Sequence, residues 1–118
     1  MIETKGYVDT AALDELKEAL GEDLAEIVDQ FLLQLDGMVR AVEAALEADN
    51  PSDAAAHAHA LKGTAANLGA TALAGVSAEI EHLAKIGDME SGRQRCASLS
   101  VIATASARVI REGGYSSY

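Results

Sequence analysis

Three residues near the middle of the chain have side chains and spacing that could support a reaction: His59, Lys62 and Gly63. Residues three and four positions apart on a helix share one side, so the Lys62 ammonium and the Gly63 backbone would flank the imidazole. A histidine imidazole is substantially neutral at pH 7 and is then a competent nucleophile. The spacing therefore indicates one nucleophile with a positive charge about one turn away.

Phosphoryl transfer is the reaction that this pair fits best. No base is spaced beside His59, which disfavours acyl transfer. A phosphoryl acceptor needs an in-line neutral nucleophile and a positive charge near the equatorial oxygens, which Lys62 could supply as a mobile point charge. The helix has no P-loop and no glycine-rich nucleotide cradle. The phosphoryl donor, and any Mg²⁺, would therefore have to come from another protein.

The helix that carries these residues is expected to run over about 51–68. Asn50 is a good N-cap, Pro51 suits the first helical position, and Gly69 can take a left-handed C-cap conformation. At about 100° per residue, His59 lies roughly opposite Leu61 and should point away from the core. The core side is predicted from alternating steps of four and three residues: Ala54, Ala58, Leu61, Ala65 and Leu68.

The side of the helix around His59 is smooth, whereas a solvated face normally carries long charged residues. Gly63 costs about 1 kcal/mol of helix stability relative to alanine, which is easiest to understand if another molecule must come close. The sequence therefore predicts a partner-docking face formed by Ala55, Ala56, Gly63 and Ala66. Composition alone is a competing explanation, because alanine makes up about a fifth of the chain.

The remaining segments predict an all-α fold. Helices are expected over about 10–20, 22–48, 71–85 and 89–111, from apolar residues at steps of three and four. The short loops make neighbouring long helices antiparallel. We expect a single domain over 1–118, an antiparallel up-and-down four-helix bundle with a short additional N-terminal helix. The segment from Gly113 to Tyr118 is expected to be a flexible tail.

Charge and composition exclude several classes of function. The 118 residues include 19 acidic and 9 basic side chains, a formal net charge of −10, which disfavours nucleic acids and anionic membrane surfaces as partners. The single cysteine, Cys96, permits neither an intrachain disulfide nor a cysteine-built zinc site. No apolar run suggests a signal peptide or membrane span, so a cytoplasmic protein is expected.

The segment HALKGTAANLGA at 59–70 resembles the signature of histidine-containing phosphotransfer (HPt) domains: His-x-Leu-Lys-Gly, small residues, and a glycine at the helix end. Residues 21–23, 31–32, 56–58 and 80–88 are also similar to family members, so the resemblance covers about 13–110. The resemblance implies a phosphocarrier, rather than an enzyme, that shuttles a phosphoryl group between receiver-domain aspartates in a multistep phosphorelay. The implied partners are response-regulator receiver domains and a hybrid histidine kinase.

By the same resemblance, each residue of the motif takes a role. His59 would be phosphorylated, Lys62 would favour the phosphoryl charge, Gly63 would leave room for the receiver, and Gly69 would terminate the helix. No cofactor or metal of its own is implied, Mg²⁺ is expected on the receiver, and a monomer is expected. Some family members also use a polar residue from a neighbouring helix, which the sequence alone does not identify here.

Three alternatives remain open at this point. The same bundle could bind a receiver or kinase without being phosphorylated. It could instead be the dimerisation and phosphoacceptor part of a histidine kinase, which would need an ATP-binding partner domain. A di-metal carboxylate bundle is the most distant alternative, because it requires Glu-x-x-His pairs on two helices and the sequence has one such pair, Glu79 with His82.

Further residues carry simpler expectations. His57 is expected at the core boundary in a structural role, His82 on the surface and Cys96 in the core. Glu81 and Lys85, four residues apart, are expected to form an ordinary helix pair. Three apolar residues of the second helix could lie in the core or in a patch beside His59 where a receiver helix docks, and two of the three are expected in the core: Leu32, Leu33 and Val39.

Overall fold

A computed structural model describes residues 6–117, and over that range the chain forms helices and no strand. The helices are α1 Thr10–Leu20, α2 Asp23–Glu47, α3 Pro51–Asn67, α4 Thr71–Lys85, α5 Met89–Cys96 and α6 Leu99–Glu112. The all-α prediction is confirmed, and the bounds of the first four helices agree with it to within a residue. None of the helices in this part of the chain has the length and apolarity needed to cross a membrane.

The long helices form a four-helix bundle with α5 and α6 together as its fourth member. Helix α3 packs against α2 on one side and most extensively against α4, while α5 and α6 each contact both α2 and α4. The connections over 48–50, 68–70 and 86–88 are each three residues long, which makes successive helices antiparallel. The short α1 packs on α2, as the predicted additional N-terminal helix.

Local signals fix both ends of α3. The Asn50 side chain accepts a hydrogen bond from the Asp53 backbone N–H at 3.1 Å, and Pro51 occupies the first turn. At the other end Gly69 has φ +71°, and the Ala70 N–H returns to the Ala65 carbonyl at 2.9 Å. A Cβ at Gly69 would lie 2.8 Å from the Asp9 carbonyl oxygen, so a larger residue would also displace the start of α1.

The buried side of α3 is built from small residues. Ala54, Ala58, Leu61 and Ala65 are completely buried, as the spacing predicts. Alanine side chains let adjacent helices approach closely, which agrees with the extensive packing of α3 against α4. His59 lies on the opposite, exposed side.

The fifth predicted helix is interrupted, which corrects the prediction of one helix over 89–111. At the break the backbone N–H groups of Ala97 and Ser98 bond three residues back rather than four. The Ser98 hydroxyl donates to the Arg95 carbonyl at 2.9 Å and accepts from the Arg95 guanidinium at 2.8 Å. A serine side chain that occupies a helix carbonyl competes with the helical backbone, and here it separates α5 from α6.

The segment after α6, expected to be a flexible tail, packs back onto the body of the protein at Tyr115. The Tyr115 side chain is buried, and its hydroxyl donates to the Asp14 carboxylate on α1. The Ser117 N–H bonds to the Asp29 carboxylate at 2.9 Å. The expectation is therefore wrong at Tyr115, because burial of an aromatic ring stabilises an ordered return of the chain. Tyr118 lies outside the described residues.

Candidate functional site

His59 stands on the exposed side of α3, in the middle of the helix, with 67% of its side chain exposed. Its Nδ1 lies 2.9 Å from Oε2 of Glu81, which projects from α4. The ring is thus anchored through one nitrogen at the junction of α3 and α4, while most of its surface remains open. This geometry agrees with the predicted orientation of His59 away from the core.

Glu81 is the centre of the site, because its carboxylate contacts three other side chains. Only 8% of the Glu81 side chain is exposed. Lys62 Nζ lies 2.8 Å from Oε1, and Lys85 Nζ lies 3.0 Å from Oε2, the oxygen that also faces His59. One buried carboxylate therefore joins an imidazole and two ammonium groups from two helices.

The two lysines keep the Glu81 carboxylate ionised. Hydrogen bonds from Lys62, then Lys85, and to a smaller extent His59 together lower the pKa of Glu81 to about 2, against an opposing effect of burial. An ionised carboxylate can only accept hydrogen bonds, so Nδ1 of His59 carries the proton in this contact. In the neutral ring Nε2 is then the nitrogen with a free lone pair, the form needed for a nucleophile.

The structure places the predicted docking residues on the surface around His59. Ala56, Gly63 and Ala66 are exposed, and Ala55 is half-buried. A Cβ built on Gly63 meets no atom of residues 6–117 within 4 Å, so packing within this part of the chain does not require a glycine there. The helix-weakening glycine therefore leaves open space above α3 next to His59.

Glu81 is the part of the site that sequence reasoning missed. The expected ordinary helix pair with Lys85 is present, but Glu81 is buried and also reaches across to α3. A signal was available in α4: Ser77, Glu81 and Ala84 follow steps of four and three and are all buried. Because Glu81 lies in line with Ser77 and Ala84, its carboxylate faces the neighbouring helix. The buried face of α4 therefore includes polar residues as well as its aliphatic ones.

Other sequence expectations have mixed outcomes. His57 is exposed, which corrects the prediction that it lies at the core boundary. Its side chain falls outside the line of buried residues that faces the core. His82 is exposed, as expected. Cys96 is buried in the core, and burial raises the pKa of its thiol to about 11, which disfavours a nucleophilic thiolate.

Two of the three apolar residues of α2 lie in the core, as predicted. Leu32 and Val39 are buried, whereas Leu33 is 69% exposed. Ile27, placed on the apolar side of α2, is also largely exposed.

A helical bundle that presents a supported histidine on an open surface defines a histidine phosphotransfer protein. The family model for the Hpt domain matches residues 26–111, and the chain belongs to this family. Hpt domains are phosphocarriers rather than enzymes, and the family acts with receiver domains and histidine kinases in phosphorelays.

Comparison with solved structures supports the fold. The chain is similar to the crystal structure of histidine-containing phosphotransfer protein B (HptB) from Pseudomonas aeruginosa PAO1, with a TM-score of 0.86 and 24% sequence identity. The match covers 91% of this chain and 93% of that chain. A search of the curated proteins found no match.

Proposed function

We propose that Nε2 of His59 accepts a phosphoryl group from a receiver-domain aspartate and passes it to the aspartate of a second receiver. The observation that carries the proposal is the contact between Nδ1 of His59 and the buried, ionised Glu81. It holds the ring proton on Nδ1 and leaves Nε2 unprotonated on an exposed ring. A nucleophile prepared in this way needs no general base.

The transfer step balances without a separate proton transfer. The Nε2 lone pair attacks the phosphorus of the receiver's aspartyl phosphate, the phosphorus–oxygen bond breaks, and its electron pair stays on the aspartate. The ring keeps its proton on Nδ1 and gains positive charge as the phosphorus–nitrogen bond forms. Glu81, 2.9 Å from Nδ1, stabilises that charge. Transfer to the next receiver reverses these changes.

Lys62 supplies positive charge to the phosphoryl oxygens. Its Nζ is held by Oε1 of Glu81 at 2.8 Å, yet 36% of the side chain is exposed, so its flexible stem can turn outward. The protein as a whole has a formal net charge of −10. The ammonium group of Lys62 gives this part of an acidic surface a positive charge that suits an anionic group.

The receiver docks over α3 on the small residues that surround His59: Ala55, Ala56, Gly63 and Ala66. Their low relief and the open space at Gly63 let another backbone approach the ring. The donor aspartate and its Mg²⁺ then reach His59 from the receiver, and the chain acts as a monomer without an ATP site or cofactor of its own. A cytoplasmic location fits this pairing with receivers and the single reduced, buried cysteine.

The experiment is phosphoryl transfer from a phosphorylated receiver domain to the purified protein. We expect label to appear on this chain in an acid-labile, base-stable form, and His59→Gln to abolish it. Lys62→Ala should slow transfer without abolishing it, since it removes charge stabilisation and leaves the nucleophile. ATP alone should give no labelling.

Two results would count against this function. Binding of the receiver without transfer would favour the non-phosphorylated interaction module instead. An unchanged rate in Lys62→Ala would remove the electrostatic role of Lys62. His57→Gln is the matched control, because His57 is an exposed histidine on the same helix and should be dispensable.

A further inference from the structure

Glu81 has two lysine partners, and only one of them has a role in the proposed transfer. Lys62 and Lys85 bind different oxygens of the carboxylate, Oε1 at 2.8 Å and Oε2 at 3.0 Å. Lys62 comes from α3 together with His59, whereas Lys85 is on α4, four residues after Glu81. Lys85 shares its helix with Glu81, so this contact does not depend on α3, although 64% of the Lys85 side chain is exposed.

The proposed function requires Glu81 to stay ionised when Lys62 leaves its carboxylate. If Lys62 turns to the phosphoryl group, it leaves Oε1, and the buried carboxylate loses its nearest cation. Burial by itself favours the protonated carboxyl, and a protonated Glu81 could donate to Nδ1 and move the ring proton to Nε2. That tautomer has no lone pair on the nitrogen that must attack. A docked receiver would add to the burial.

We propose that Lys85 is a positioning residue, which keeps Glu81 ionised and directed at His59 while Lys62 turns to the phosphoryl group. This inference rests on the proposed function and assigns the two lysines different duties. Lys62 leaves the Glu81 carboxylate to contact the phosphoryl group, and Lys85 remains bound to that carboxylate. The shared Oε2 links Lys85 directly to the ring contact, because that oxygen faces both Lys85 Nζ and His59 Nδ1.

The charged groups around Glu81 allow this assignment to be tested. His59 and Lys62 face it from α3, and Lys85 faces it from its own helix. The next charged pair on α4, Glu79 with Arg95 of α5, is a separate contact with Nε to Oε2 at 2.7 Å. Among the described residues, substitution of Lys85 thus leaves one lysine on Glu81, and substitution of both leaves none.

The test measures Glu81 and His59 separately from activity. Carboxyl ¹³C NMR gives the titration of Glu81, and imidazole ¹⁵N NMR gives the tautomer of His59. In Lys62→Met, which mimics the departure of Lys62, adding Lys85→Met should raise the Glu81 midpoint by about one pH unit or more, a tenfold change in ionisation. Lys85→Arg should restore it. Lys17→Met, which removes a lysine of α1, should change nothing.

Activity gives the second measurement, with phosphoramidate as a small phosphoryl donor. At pH 7, Lys62→Met/Lys85→Met should transfer more slowly than Lys62→Met, because Glu81 is then less firmly directed at Nδ1 of His59. In a Glu81→Gln background, Lys85→Met should have no such effect, because a neutral amide needs no counterion.

The inference is overturned if Lys85→Met leaves the Glu81 midpoint in place, or if Lys17→Met moves it equally. Should the double variant fail to fold, Lys85→Met in the otherwise unchanged chain gives the same test with a smaller expected shift. Failure of the proposed function would look different: His59 would remain unphosphorylated in the unaltered protein, while the NMR titrations would still decide the role of Lys85.

Discussion

In two regions of the molecule a carboxylate forms a hydrogen bond with a ring side chain. In one region the carboxylate is buried, and in the other the ring is buried. At the α3–α4 junction the Glu81 carboxylate is buried and the His59 ring is exposed. After α6 the Tyr115 ring is buried, and its hydroxyl reaches the exposed Asp14 carboxylate on α1. In the proposed function, the buried charge with its cationic partners prepares the exposed ring for reaction. A buried ring with a surface charge gives only attachment.

The two regions also differ in the direction of their pH dependence. Lys62 and Lys85 lower the pKa of Glu81 to about 2, so its contribution to stability is complete above its usual value of 4.5 and is lost as the pH falls. The hydrogen bond to Asp14, and then burial, raise the pKa of Tyr115 to about 12. Its contribution is complete below its usual value of 10 and is lost as the pH rises through 12.

The largest difference between the regions should appear when the acceptor of the ring hydrogen bond is removed. Glu81→Leu keeps the bulk and removes the acceptor, and we expect transfer to fall by about 10- to 100-fold, the equivalent of one charge-assisted hydrogen bond. Glu81→Gln keeps an acceptor oxygen and should retain more activity. Transfer rates from a phosphorylated receiver check both. Equal activity of Glu81→Leu and the unaltered protein would show that the contact does not prepare the ring.

A smaller effect is expected from closing the open space beside the ring. Gly63→Ala should stabilise the fold by about 1 kcal/mol through helix propensity, and should weaken transfer roughly tenfold because the new methyl group obstructs the receiver. Thermal unfolding and the concentration dependence of transfer measure the two effects.

Gly75→Ala is the matched control for this substitution. Gly75 is exposed inside α4, and a Cβ there also meets no atom within 4 Å. It should bring a similar gain in stability and no loss of transfer. If Gly63→Ala transfers as fast as Gly75→Ala, the docking face has been placed wrongly.

The smallest effect on transfer is expected at the tail contact. Tyr115→Phe removes the hydroxyl that binds Asp14, and should cost about 1 kcal/mol of unfolding free energy while transfer stays unchanged. Between pH 10 and 12 the unaltered protein should lose this advantage, and the two stabilities should converge. Chemical denaturation across this pH range checks the prediction. A loss of transfer in Tyr115→Phe would contradict the purely structural role.

The sequence predicts those parts of the molecule that depend on local spacing. The ends of α3 follow from Asn50, Pro51 and Gly69, and the exposure of His59 follows from helical geometry alone. Contacts between residues far apart in the chain do not follow from local spacing. Glu81 is 22 residues from His59, and Tyr115 is 101 residues from Asp14. The steps of four and three residues from Ser77 to Glu81 and Ala84 place Glu81 on the buried face of α4, but they do not identify the side chains that it meets there.

The position of the phosphoryl group on the histidine tests the central claim most directly. After transfer from a phosphorylated receiver, ¹⁵N and ³¹P NMR of the labelled protein should show the phosphorus bonded to Nε2 of His59, with Nδ1 still protonated. Phosphorus on Nδ1, or on any residue other than His59, would contradict the account, because Glu81 could not then be holding that nitrogen's proton.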